Sequence, residues 1–393
     1  MANAFSKEER VAFEDILEGF NDALVLSRNV ATYSTDSTMM ERTNDIIWRP
    51  QPYIATSIDG APGTDISASY KNMTQLSVPA TIGFSKTVPW TLNAKELRDA
   101  LQENRLGDSA KQKLASDINV ALMNVASAQG TLFVKRTAAA SGFDDVAQAE
   151  AIFNEQGVPS YDRYLALSTR DYNGMASNLA GRQNVTDLPK EAYRRAYVGM
   201  IASFDTYKLD YANRVAAAGG AGLTIDTRDV AVNYYIPQAT SASVGGKINV
   251  DNRYQTVTVS STASVAAGDA FTIAAVNAVH HITKQDTGQL KTFRVISVTN
   301  GTTMVISPPI ISNQVANDAS AQYQNCVVNT KSATSAIVFL NTVAGYANPF
   351  WQRDALEILP GRYAVPSDAG TAVMRASTDQ GIELVMQKFY DID

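Results

Sequence analysis

Two residue types that build most catalytic and metal sites are nearly missing from this chain of 393 residues. It holds one cysteine, Cys326, and two histidines, His280 and His281. A single cysteine rules out an intrachain disulfide and a thiolate zinc site, and fits a protein made in a reducing cytoplasm. Neighbouring residues on a strand point to opposite faces, so His280 and His281 are badly placed to chelate one ion. No serine sits in a G-x-S-x-G frame, and no G-x-x-x-x-G-K-[ST] loop occurs. We therefore expect no enzyme, no metal and no cofactor.

Basic charge is also short. Lys and Arg number 33 against 39 Asp and Glu, a net charge of −6, and no long Lys/Arg run marks a nucleic-acid reader. Apolar runs such as "AIVFL" (336–340) are too short to cross a bilayer. The start, "MANAFSKEERVAFEDILEGF", lacks a basic segment followed by an apolar one, so no signal peptide is expected.

What remains is an ordinary globular composition, 45% hydrophobic and 18% charged. A chain this long is expected to hold about two or three domains. In residues 6–27, Phe13, Ile16, Leu17, Phe20 and Leu24 recur at helical spacing after a Ser6/Glu9 capping box. Glu14, Asp15, Glu18 and Asp22 cluster on another face. Such a face is either solvated surface or a seat for a basic partner.

Residues 43–90 look extended. "NDIIWRPQPY" (44–53) leads into a Gly/Asp/Ser-rich stretch and returns through "LSVPATIGFSKTVPW" (76–90), where Val78, Ala80, Ile82 and Phe84 alternate. Prolines 50, 52, 79 and 89 favour an edge pair, so we expect a two-stranded arm. Residues 93–129 form the longest helical pattern. Gly107-Asp108-Ser109 suggests a break and a fresh cap, leaving a main helix of about 20 residues. Beyond it, 144–157 reads as a helix, "RYLALSTRDYN" (163–173) as a strand and turn, and "AAAGGAGL" (216–223) as a flexible joint.

From about 224 to 330 the pattern becomes β. "YQTVTVSS" alternates, with Val257 and Val259 in step, and "DAFTIAAV" (269–276) and "TFRVISV" (292–298) are strand-like. Asn300-Gly301 marks a hairpin. Short strands between turns argue for a small all-β barrel or sandwich. Helix and mixed patterns return at 334, and "GIELVMQKFYD" (381–391) reads as a last strand.

Several segments, in order, resemble the major capsid proteins of tailed double-stranded DNA phages, closest to short-tailed phage coat proteins with an inserted domain. They are "RTNDIIWRPQPY" (42–53), "AKELRDA" (94–100), "KINVDNRYQTVTVSSTASVAAGDAFTIAAV" (247–276) and "NPFWQRDALEILPGRYAVP" (348–366). The resemblance implies an α+β capsid fold with six parts. These are an N-terminal arm (1–40), an extended loop (41–90), a peripheral domain with a spine helix (91–140), an axial domain (141–221), an inserted β-barrel (222–332) and an axial/peripheral return (333–393).

It further implies a subunit that assembles into pentamers and hexamers of an icosahedral shell, built in the host cytoplasm and part of the virion. Its implied partners are copies of itself, a scaffolding protein, a portal protein at one vertex and packaged DNA bound non-specifically. In such proteins the arm helix contacts the scaffold, which makes Glu14, Asp15, Glu18 and Asp22 the candidate scaffold-binding residues. A carbohydrate-binding or adhesin-like tail component is the alternative. It would need an aromatic platform on the β-region, yet Trp48, Trp90 and Trp351 all lie outside it.

Overall fold

The computed structural model describes residues 10–11, 13–14, 16–17, 26–33, 46–52, 55, 57, 60, 63, 65–81, 83–91, 100–136, 138, 142–181, 198–209, 211–229, 233–244, 246–361, 371–378 and 380–389. The chain divides into two compact units: residues 1–47, 80–124 and 353–393, and residues 48–79 and 125–352.

The first unit holds most of helix α1 (Ala100–Gln129), a single run of 30 residues, about 45 Å long. The break expected at Gly107 is absent. A Cβ on Gly107 would lie 2.5 Å from Ile16 Cδ1, so this glycine admits the N-terminal segment rather than ending a helix. The described residues 10–17 are helical, with Phe13 buried and Ile16 and Leu17 half-buried, as the apolar stripe requires. Ala31–Thr32 pairs in parallel with Glu357–Ile358. The C-terminal strand Glu383–Lys388 has an antiparallel partner, Ala372–Ser377, that the sequence reading missed. Ile382 beside it packs with Leu114, Ala115 and Ile118 of α1.

In the second unit, helices α2 (Phe143–Gln156) and α3 (Thr169–Ala180) accompany a four-stranded sheet. Its strands are Phe350–Gln352, Arg163–Leu167, Phe204–Lys208 and Met200–Ile201, in that order. The expected turn after Arg163–Leu167 is instead the start of α3. Ser168 Oγ caps it, accepting from Asp171 N at 3.3 Å and donating to Asp171 Oδ2 at 2.8 Å. The helix is the crossover to the parallel strand Phe204–Lys208. Phe153 closes the core, its ring 5.5 Å from Phe204 and 5.1 Å from Phe350.

The β-region forms one seven-stranded sheet: β1 (Thr224–Ile225), β2 (Gln255–Thr258), β3 (Ala270–Val279), β4 (Asp286–Asn300), β5 (Thr303–Ser307), β6 (Cys326–Val328) and β7 (Ser335–Phe339). Six of them run β2-β5-β4-β3-β7-β1, and β6 also pairs with β3. A bridge between Ile225 and Val259, with Ser260 N donating to Thr224 O at 2.9 Å, joins the two ends into a barrel. Closure removes the exposed edges that an open sheet would present.

Inside the barrel, Phe271 sits opposite Phe293 on one side and Phe339 on the other, with ring centroids 5.6 Å and 6.0 Å away. Val257 and Val259 point inward while Thr256 and Thr258 face out, the alternation read from the sequence. Ala275, with φ of 63°, marks a bulge at which β3 changes partner from β7 to β6. The hairpin at Asn300-Gly301 is present, with Asn300 Oδ1 accepting from Thr302 N at 2.9 Å. Strand β7 lies beyond residue 332, so the barrel extends past the edge expected from the sequence.

Candidate assembly surfaces

Three surfaces bear on how this chain could meet its neighbours. The first is a hairpin, Thr240–Ser243 paired with Gly246–Asn249, in which Val244 is fully exposed and Ile248 is more exposed than not. Its root is held by one residue of the "NVDNR" run. Asn252 Oδ1 accepts from Tyr235 OH and Gln238 N, each at 3.0 Å, and Nδ2 donates to Gln238 O and Val250 O, each at 2.9 Å. On either side Asp251 and Arg253 pair at 2.8 Å, and the Arg253 guanidinium lies 5.1 Å over the Tyr254 ring. The Asp251 bond is the first cause raising Arg253 above the ordinary arginine value. The motif thus fixes the direction of a hairpin whose tip stays free.

The second surface is the extended arm. Its strands, Ile46–Pro50 and Ser77–Thr81, are five residues each and form a two-stranded sheet. The longer alternation expected to 90 is not a strand: beyond Thr81 the described residues have no ladder, and Phe84 is exposed. The described residues from 55 to 73 are exposed wherever their side chains are defined. The return of the arm is strapped to a short helix of the barrel region, Asp318–Tyr323. Tyr323 OH donates to Thr74 O at 2.8 Å, and Gln322 Oε1 accepts from Thr74 N at 3.1 Å.

The third is the N-terminal helix. Glu14 is exposed, consistent with an acidic outer face; Asp15, Glu18 and Asp22 lie outside the described residues.

Four buried polar residues and the half-buried Asn348 hold this scaffold, and the sequence reading did not single them out. Asp269, of the quoted "GD", accepts from Ala266 N and from Asn341 Nδ2, each at 2.9 Å. Asn341 also donates to Ala216 O at 3.1 Å and accepts from Ala270 N at 3.1 Å, so it stitches the place where the chain enters and leaves the barrel. Arg294 lies 5.0 Å over the Phe133 ring and donates to Gly130 O at 2.8 Å, just past α1, and to Gly268 O at 2.6 Å, just before β3. Burial lowers it to about 10, with Asp269 opposing. Arg163, 2% exposed, donates to Pro159 O, Val158 O and Asn154 Oδ1 within 2.8 Å. Asn348 of "NPFWQRD" bonds Ser168 N and Asp171 Oδ2, each at 2.8 Å, lacing the return segment to α3. All but Asn341 lie inside segments quoted from the sequence, but nothing local to those segments marks them as buried clasps.

A closed barrel interrupts an α/β body, and an exposed hairpin and arm stand out from it. The chain belongs to the P22 coat protein family (P22 coat protein, gene protein 5), which matches residues 1–393. It is a major capsid protein, structural and non-enzymatic, that self-assembles into the capsid shell of the virion.

Among solved structures it is similar to the CUS-3 coat protein I-domain, at 36% identity over 30% of this chain and 98% of that one, with a TM-score of 0.21. It is also similar to a chain from Mycobacterium phage Che8 (13% identity, 46% and 70% covered, TM-score 0.35). A third likeness is to the capsid of Cyanophage P-SCSP1u (14% identity, 80% and 84% covered, TM-score 0.30).

Proposed function

We propose that this coat subunit forms the pentamers and hexamers of an icosahedral procapsid with the help of a separate scaffolding protein, in the host cytoplasm, and that the shell then matures around DNA. One vertex would hold a portal, and the packaged DNA would meet the inner surface without sequence preference. The parts divide as an arm (1–40), an extended loop (41–90), a peripheral domain (91–140), an axial domain (141–221 and the return) and an inserted barrel from 222. The barrel's closing edge moves from 332 to Asn341, because β7 is one of its strands.

The observation that carries the reading is the exposed hairpin with a pinned root. A free tip with Val244 exposed, on a root made rigid by Asn252, suits contact with a neighbouring subunit across a local symmetry axis. Asn252→Ala removes four hydrogen bonds and should cost about 1–3 kcal/mol at the root. Purified subunits mixed with scaffold and viewed by negative-stain microscopy should give closed shells for the parent chain and aberrant or few shells for Asn252→Ala. Normal shells from the variant would remove the hairpin from assembly; no shells from the parent chain would overturn the scaffolded route.

A further inference from the structure

The returning limb of the arm, residues 72–76, belongs to no strand, so its peptide groups have no ladder of their own. At Thr74 the barrel region takes the place of one. Thr74 N donates to Gln322 Oε1 at 3.1 Å, and Gln322 Nε2 donates back to Thr74 O at 3.3 Å. The planar carboxamide thus offers Thr74 the donor and the acceptor that a neighbouring strand would. Tyr323 OH donates to the same carbonyl at 2.8 Å, and Asn72 N donates to Asp318 Oδ2 at 3.4 Å. All three side chains come from the short helix Asp318–Tyr323. Gln322 is 4% exposed, and both its side-chain bonds go to Thr74. A buried carboxamide is costly when its ends go unmet, so this side chain depends on the arm for its partners.

Two further ties follow along the limb. Leu76 is buried, and its carbonyl accepts from Gln51 N at 2.8 Å, which joins the returning limb to the outgoing one. Ser77 forms a parallel bridge with Asp251, at the root of the exposed hairpin. The limb is therefore fixed at three successive places, and two of them are contacts with the barrel region. Toward the tip, Ile66, Tyr70 and Met73 are exposed, so the tip takes its direction from this mount.

We propose that Gln322 and Tyr323 are positioning residues for shell assembly: they mount the arm on the barrel, so that arm and hairpin meet neighbouring copies of the chain as one preset part. A limb that swung free would have to be ordered at every contact, at an entropic cost. In a closed shell each subunit makes the contact, and a small penalty is multiplied over many linked copies. The proposal rests on the reading that arm and hairpin are contact surfaces; it does not depend on the scaffolded route.

Gln322→Met keeps the length of the side chain and removes both bonds to Thr74, and Tyr323→Phe removes the third. In the full chain carrying both changes, the Thr74 amide should exchange roughly tenfold faster, while amides of β3 and β4 stay within about twofold of the parent. In cells producing the whole virus with this variant as the only coat protein, the yield of closed shells should fall about fivefold or more. Parent shells form there by whatever route, so a failure of purified subunits to assemble with scaffold would strike the scaffolded reading and leave this comparison intact. A parent-like yield beside fast exchange at Thr74 would overturn the proposal, and so would unchanged exchange at Thr74. A strap that merely stabilised the fold would instead show as protection lost throughout the barrel. If the double change has that effect, or does not fold, Tyr323→Phe alone decides, because it removes one hydroxyl and keeps the ring. Its shell yield should fall by about half or more with barrel protection intact. A parent-like yield, or protection lost across the barrel, would then sink the idea.

Discussion

A lysine facing a barrel interior has no apolar partner for its charge, and Lys291 is such a residue. It shares the inward face of β4 with Phe293 and Val295 and is 6% exposed. Burial is the first cause holding its ammonium below the ordinary lysine value. Because the folded value lies below the unfolded 10.5, the unfolded chain binds more protons in that window. Stability on this account rises with pH up to about 10.5. Lys291→Met keeps the volume and removes the charge, so it should stabilise the chain by about 1–3 kcal/mol at neutral pH. Urea unfolding near neutral pH and near pH 9.5 measures this: the gap between variant and parent should narrow at the higher pH. A destabilised variant would mean that the ammonium is used. A residue such as Asn341 was not legible as a structural pin, because its partners are distant in sequence. Asn341 meets Asp269 across 72 positions. Alternation could show that Val257 faces inward, but no local pattern announces a clasp.

Glycine separates what the sequence could say about elements from what it could not. Gly107 looked like a helix break and Gly219-Gly220 like a flexible joint, since local chemistry cannot distinguish freedom of backbone from shortage of space. Gly107 admits Ile16 to the face of α1. A Cβ on Gly220 would lie 2.7 Å from Phe339 Cε2 and 3.3 Å from Val265 Cγ2, so the segment entering the barrel is laid against its core. Gly220→Ala should therefore cost about 1–3 kcal/mol by overpacking, where a flexible joint would tolerate it. A thermal melt of the full chain decides between the two.

The same geometry sets the size of the barrel as an element. A fragment of residues 216–341 holds all seven strands and the Asn341 stitch, and should give a β-type circular dichroism spectrum with a cooperative melt. A fragment of 222–332 lacks β7, and with it Phe339 and the strand between β3 and β1. It should fail to melt cooperatively. Two equally cooperative melts would show that β7 is dispensable. Short strands and turns were readable from alternation and Asn300-Gly301, but the return of β7 to the barrel was not. "SAIVFL" has the same composition whether it pairs with β3 or with the body of the subunit.

At the scale of the whole molecule, order of segments carried more than any site. The apolar stripe of the N-terminal helix was legible as a packing face, and Phe13 is buried while Glu14 is exposed. What the acidic face meets depends on a second chain, which no intramolecular pattern can specify. If it seats a basic scaffold helix, reversing Glu14, Glu18 and Asp22 to lysine leaves Phe13, Ile16 and Leu17 in place, and the subunit should fold as before. Each reversed contact would then cost a few tenths to about 1 kcal/mol at an exposed pair. Weak terms of this size become decisive when many linked subunits bind at once. Scaffold-assisted assembly, followed by light scattering, should fall sharply for the triple reversal. The parent reaction should slow as salt rises, because exposed pairs are screened within about 10 Å at 0.1 M salt. Normal assembly of the triple variant at low salt would make the acidic face ordinary solvated surface and send the search for the scaffold contact to another part of the subunit.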